Sequence, residues 1–226
     1  MGDSFHAEAL SAFRSLVLEQ EFPCVGARAA FNAGSYLLNV YDELGGEAAT
    51  GKLSRDLARF TDSALREHEY ATFIAVFGAP EASDDPEFEQ LLWRQLTLLN
   101  CADAEPWDPS VRSDPADPQF SFSFAGQALY VIGMHPRSSR LARRFPWPAL
   151  VFNPHVQFER LRSEGKWKRM QQTIRDRDVA LQGSINPMLS DFGQSSEARQ
   201  YSGRAVEEDW QPPFRATSSG KCPFAH

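Results

Sequence analysis

Residues 119–134 read QFSFSFAGQALYVIGM. Phe120, Phe122 and Phe124 alternate with small polar residues, the two-residue period of a strand with one apolar face. Ala125-Gly126-Gln127 can turn the chain, and ALYVIGM at 128–134 returns as a second apolar strand. The stretch predicts a Phe-rich β-hairpin, which commits the sheet to antiparallel pairing. PALVF at 148–152 adds a strand, and YATFIAVFG at 70–78 adds a buried one by its β-branched and aromatic content. SYLLNVYD at 35–42 reads as a short strand, with a helix as the alternative.

Helical periodicity surrounds these strands. Phe5, Ala9, Leu10, Phe13, Leu16 and Val17 form a stripe behind a cap at Asp3 or Ser4, and Leu53, Leu57, Phe60 and Ala64 form a second. Phe88, Leu91, Leu92, Leu96 and Leu99 follow Asp85-Pro86, read as N-cap and first helical position. Residues 102–118 hold four of the 15 prolines and predict a surface loop, with no domain boundary in it and no internal repeat elsewhere. The expectation is a single α+β domain over 1–226: a small, mostly antiparallel sheet including the hairpin, surrounded by helices.

The 226 residues carry 17 Phe and 5 Trp, ample for a core, and a net charge of −7. Residues 137–178 contain 11 Lys and Arg against 4 Asp and Glu, a local +7, so the remainder carries −14. That balance argues against general nucleic-acid binding, and a positive island suits a small anionic ligand. The N-terminus has an acidic residue at position 3 and no long apolar core, so no signal peptide is expected. Apolar runs fall short of the ~20 residues a membrane span needs. Cys24, Cys101 and Cys222, odd in number, fit free thiols in a reducing cytoplasm.

The chemistry-bearing types gather after the hairpin. His135 and His155 each follow a strand, with Arg137, Arg140, Arg143 and Arg144 between them and no acidic residue. If the two strands share a sheet, both imidazoles can reach one rim, where histidine serves as metal ligand or base; the alternative is two imidazoles satisfying backbone carbonyls. Guanidinium forks match carboxylate or phosphate, so Arg137 and Arg140 with Ser138 and Ser139 can clamp an anion, whereas Arg143 and Arg144 read as a solvated helix face. Asn153 and Gln157 stand near enough in sequence to bond the second nitrogen of His155. Cys24 precedes a possible helix start, where a thiolate is favoured, although a lone cysteine in an apolar turn is also simple packing. Residues 174–204 mix polar side chains with Leu181, Met188, Leu189 and Phe192, as a wall around a polar ligand would. Asp176, Asp178, Asp191 and Glu197 can meet a cation there or pair with neighbouring arginines. P-loop, GxGxxG and GxSxG motifs are absent from the sequence, as are CxxC and His-x-x-x-His spacings.

FPCVGARAAF at 22–31, the stretch at 133–162, IRDRD at 174–178, QGSINPMLSDFGQSSEARQYSGR at 182–204 and the terminal CPF at 222–224 resemble the YqcI/YcgG family over most of the chain. Characterised members are haem-dependent N-hydroxylases of guanidino groups. The resemblance implies haem b, dioxygen as co-substrate, a guanidine such as free L-arginine, and electrons from an external donor or reductase. For the axial ligand such a haem needs, position favours His155, which stands between a buried strand and an expected helix, with His135 second and Cys24 third; His135 and Cys24 are the catalytic candidates, His135 placed to hold propionates or line the oxygen side. Arg137 and Arg140 would hold propionates, and one of the four carboxylates would orient the guanidinium. Two further readings stand beside it: a haem sensor or carrier using Cys222-Pro223, and an enzyme clamping a phosphorylated metabolite. The oligomeric state, a homodimer included, is open.

Overall fold

Five strands make one sheet in the order β1-β2-β5-β4-β3. The computed structural model describes residues 2–67 and 70–217. Helices α1 (Asp3–Leu18) and α2 (Val25–Ala33) precede β1 (Tyr36–Glu43), and α3 (Glu47–Glu67) crosses to β2 (Thr72–Ala79). After α4 (Asp85–Ala102) and a long loop come β3 (Phe122–Phe124) and β4 (Gln127–Met134). A single 3-10 turn at Leu141–Arg143 leads to β5 (Ala149–Pro154), followed by α5 (His155–Ser163), α6 (Trp167–Gln182) and the one-turn α7 (Ala198–Tyr201). β1 and β2 are parallel, as the helical crossover between them requires, and every other pairing is antiparallel. The architecture is the expected α+β one.

Strand alternation sorts side chains into two layers. Phe73, Ala75, Phe77, Leu129, Val131, Leu150 and Phe152 pack on one face against Leu53 and Leu57 of α3 and Phe88, Leu92 and Leu96 of α4. Ile74, Val76, Met134, Ala149 and Val151 pack on the other face against Ala9, Phe13 and Val17 of α1 and Phe31 of α2. Helices cover both faces, which is why β2 reads as a continuous apolar run rather than an alternating one.

The hairpin closes at Ala125 (φ +52°) and Gly126 (φ +71°), the two left-handed positions of a turn matched to strand twist. Its first strand differs from the reading. Regular pairing covers only Phe122–Phe124, and Ser121 and Ser123 are as buried as the phenylalanines. The proline-rich loop causes this. Its Asp103 and Asp108 carboxylates accept the N–H groups of Ala125 (2.9 Å) and Ala128 (2.8 Å), and Ser123 Oγ accepts the Asp108 N–H at 3.0 Å.

Three local readings are corrected. Helix α1 starts behind Gly2, with no side-chain cap from Asp3 or Ser4. Asp84, not Asp85, caps α4: its Oδ1 accepts the Glu87 N–H at 2.9 Å, and the Glu87 carboxylate accepts from Ser83 in return. Cys24 is a free thiol, but Cys101 is disulfide-bonded, so not all thiols are free. The Ala64 side chain and Cys222-Pro223-Phe224 lie outside the described residues. Among the described residues no helix is long and apolar enough to cross a membrane.

Candidate functional site

On the second face of the sheet, Tyr130 and Ile132 of β4 and Asn153 of β5 line a cavity of about 270 Å³ rather than solid core. Helices α1, α2, α5 and α6 and residues 186–200 close it. Its apolar walls come from Phe13, Phe31, Ile132, Val151 and Leu161; its polar groups include Cys24, Tyr130, Arg143, His155 and Glu197.

Cys24 is the N-cap of α2, and its Sγ accepts the Ala27 N–H at 3.4 Å. Burial raises the thiol pKa, opposed by the Ala27 and Gly26 amides and by the charge of Arg143. Glu197 is 5% exposed. Its Oε1 accepts the Tyr201 hydroxyl at 2.6 Å, and its Oε2 faces His155 Nε2 at 3.9 Å. Burial pushes its pKa up to about 7, against the opposing hydroxyls of Ser121 and Tyr201 and the charge of Arg162. Burial lowers the His155 pKa, so the imidazole is held neutral. Tyr130 donates to Gln200 Oε1 at 2.7 Å, and its raised pKa, mainly an effect of burial, also carries the charges of Arg143, Glu197 and Cys24.

The expected common rim for His135 and His155 does not form. Their strands are neighbours, but antiparallel register pairs Met134 with Ala149 and Leu129 with Pro154, which sends the two histidines to opposite ends. Five residue steps separate those ends, about 17 Å. His135 is fully buried, stacked on Phe88 at 4.4 Å, with Nε2 2.8 Å from Asp85 Oδ1; it takes no part in the cavity wall. The carboxylate left uncommitted by the Asp84 cap thus has its partner in His135.

The Arg and Ser cluster also divides. Arg137 and Ser139 are exposed, Ser138 is buried with Oγ accepting the Arg140 N–H at 3.3 Å, and none of the three lines the cavity. Arg140 does line it, but its Nη2 meets Asp178 Oδ2 at 2.7 Å and it donates to Ser184. Two side chains read as hosts for ligands of opposite charge therefore neutralise each other. Arg143, read as solvated, is buried, because the 3-10 turn points it inward while Arg144 stays out and donates to Ser138 O at 2.8 Å. Asn153 and Gln157 line the cavity without bonding His155, and Gln157 Oε1 accepts the Ala71 N–H at 3.2 Å instead. Asp176 is exposed and held by Gln172, and Asp191 accepts from Gln171 at 2.6 Å. Neither lines the cavity. Of the four carboxylates, Glu197 alone faces it with no lysine or arginine within 4.0 Å among the described residues, and its nearest imidazole is His155.

Residues the sequence reading missed include Tyr130, Arg143, Ser190 and Tyr201. The alternation of Tyr130, Ile132 and Met134 on one face was the available signal for the first.

The donor set fits a haem: a thiol and an imidazole able to bind iron, apolar walls, and arginines at Arg143, Arg175 and Arg162, the last of them paired with Glu159. The buried hydroxyl of Ser190, in the same wall, has no hydrogen-bond partner among the described residues.

Comparison with known proteins gives two relatives. The uncharacterised protein YqcI of Bacillus subtilis is 27% identical over 192 residues, covering 81% of this chain and 76% of that protein. DcsA of Streptomyces lavendulae, named as a candidate N(omega)-hydroxy-L-arginine synthase, is 26% identical over 238 residues, covering 98% of this chain and 84% of its own. No solved structure matches. The YqcI/YcgG family model matches residues 13–215, and the chain belongs to that family.

Proposed function

We propose that this protein is a haem-dependent monooxygenase that hydroxylates a guanidino nitrogen of free L-arginine or a related guanidine, with dioxygen as co-substrate and electrons from an external donor. The observation that carries the reading is Glu197, a buried carboxylate facing the cavity with no lysine or arginine within ion-pair distance among the described residues. A desolvated carboxylate of this kind is stabilised by a ligand cation, and a guanidinium fork matches it bidentately. The name of the relative DcsA supports the same substrate class.

Cys24 and His155 are the wall's thiol and imidazole for iron. Glu197 occupies the approach to His155 Nε2 at 3.9 Å and leaves Cys24, at the amide-rich start of α2, the freer of the two. Haem bound there would supply reductive activation of dioxygen, which a thiolate ligand favours. The chain's own groups do the rest. Tyr201 fixes Glu197 Oε1, so Oε2 is the oxygen presented to substrate. Oε2 must be ionised to hold the guanidinium, which a pKa of about 7 allows near working pH; overall, N–H becomes N–OH by insertion of one oxygen atom, and the other leaves as water at the cost of two electrons and two protons from the external donor and solvent. The Phe and Leu walls exclude water, which strengthens that pairing.

The test is to express the full chain with a haem precursor, measure haem per chain as the pyridine complex, and follow L-arginine by mass spectrometry with a chemical or enzymatic reductant. One haem per chain and a product heavier by one oxygen are expected. A colourless protein that cannot be reconstituted, or a haem protein inert toward every guanidine offered, overturns the proposal.

A further inference from the structure

We infer that Arg143 is a buried carboxylate-binding site in the cavity wall, set to receive the carboxylate of an amino-acid substrate or of a porphyrin. The inference rests on the function proposed above and deepens it.

Arg143 is 9% exposed, yet no carboxylate lies within ion-pair distance of it among the described residues. Its Nη1 donates to two backbone carbonyls, Tyr201 O at 2.9 Å and Gly133 O at 3.3 Å, and no hydrogen bond occupies Nε or Nη2 among the described residues. A guanidinium taken out of water and paired only with carbonyls is costly to the fold. Its neighbours do not share that condition. Arg140 is neutralised by Asp178, Arg162 by Glu159 at 2.6 Å, and Arg175 is half-exposed to water. The backbone is shaped around Arg143: Gly203 sits at φ +88°, and a Cβ there would lie 2.7 Å from Arg143 Cδ.

Among the described residues the cavity wall therefore holds one buried arginine and one buried carboxylate, neither with an ion-pair partner of full charge. Tyr201 joins them, with its carbonyl bonded to Arg143 and its hydroxyl to Glu197. A zwitterion with a cationic tail complements both ends, and a simple guanidine only one.

Two ligand pairs test this by calorimetry and fluorescence, without turnover. L-Arginine is compared with agmatine, which lacks the carboxylate, and metal-free protoporphyrin IX with its dimethyl ester. Wild-type protein should prefer the carboxylate member of at least one pair by about tenfold or more, the size of one charge-assisted hydrogen bond. Preference in the first pair assigns Arg143 to substrate, and in the second to porphyrin. Arg143→Gln should erase that preference and Arg143→Lys restore part of it. Absence of preference in both pairs overturns the inference even if no variant folds, as does a preference that survives intact in a folded Arg143→Gln protein. Failure of the proposed function registers separately, as a wild-type protein that binds these ligands but hydroxylates no guanidine.

Discussion

Replacing Glu197 by Gln should stabilise the haem-free protein while abolishing guanidine binding, and the stability gain should depend on pH. Burial pushes the carboxyl pKa up to about 7 in the folded chain, against an ordinary value of 4.5. Folding therefore holds the proton more tightly than the unfolded chain does. Its contribution to stability is undiminished below 4.5, falls as pH rises to 7, and is constant beyond. The full loss is 2.5 pH units, roughly 3 kcal/mol. Gln keeps the acceptor that Tyr201 uses through Oε1 and has no charge to bury. Glu197→Gln should thus exceed wild type by roughly 1 kcal/mol at pH 5 and roughly 3 kcal/mol at pH 8. Other ionisable groups, the nearby His155, Tyr201 and Arg162 included, are common to both proteins and cancel to first order. Urea titrations of haem-free protein at the two pH values measure the gap, and melting points should separate by roughly 6–10 °C at pH 8. A gap independent of pH, or a less stable variant at pH 8, would refute the account of Glu197 as a strained, cation-seeking carboxylate.

Wild-type affinity for L-arginine should fall as pH drops below about 7, approaching tenfold per unit, because only ionised Glu197 holds the guanidinium; calorimetry across pH 5.5–8 reads this directly. Arg140→Ala should destabilise the fold by about 3 kcal/mol in urea, since it strands buried Asp178, and the paired change Arg140→Leu with Asp178→Leu should recover most of that loss. With haem bound, the ferrous carbon monoxide spectrum should be of thiolate type and should lose that character in Cys24→Ala, whereas His155→Ala should keep it; an imidazole-type spectrum in wild type transfers the iron to His155.

The strands and helices were legible because their signals are local. The Phe alternation and the Ala-Gly turn placed the hairpin, though not the short extent of its first strand, and periodic leucines placed α3 and α4. What escaped were consequences of pairing direction and of one-residue offsets. No local pattern reveals that β4 and β5 run antiparallel as neighbours, and that fact alone separates His135 from His155. Asp84 and Asp85 are equally good caps in sequence, and only the proximity of His135 distinguishes them. Arg143 and Arg144 look equivalent until a 3-10 turn sends one inward. Glu197 could be nominated among four carboxylates, but choosing it required knowing that Arg140 already occupies Asp178.

The two-sided sheet has a consequence for how this protein can be altered. Neighbouring residues on β5, such as Val151 and Phe152, report to different layers, Val151 to the cavity and Phe152 to the packed core under α3 and α4. Substitutions in the two layers share few partners, so their free energies should add. The cavity wall then becomes an adjustable module on a fixed chassis. Ile132 and Val151 could be enlarged or trimmed to admit a shorter or bulkier guanidine, with the cost of each change set within its own layer.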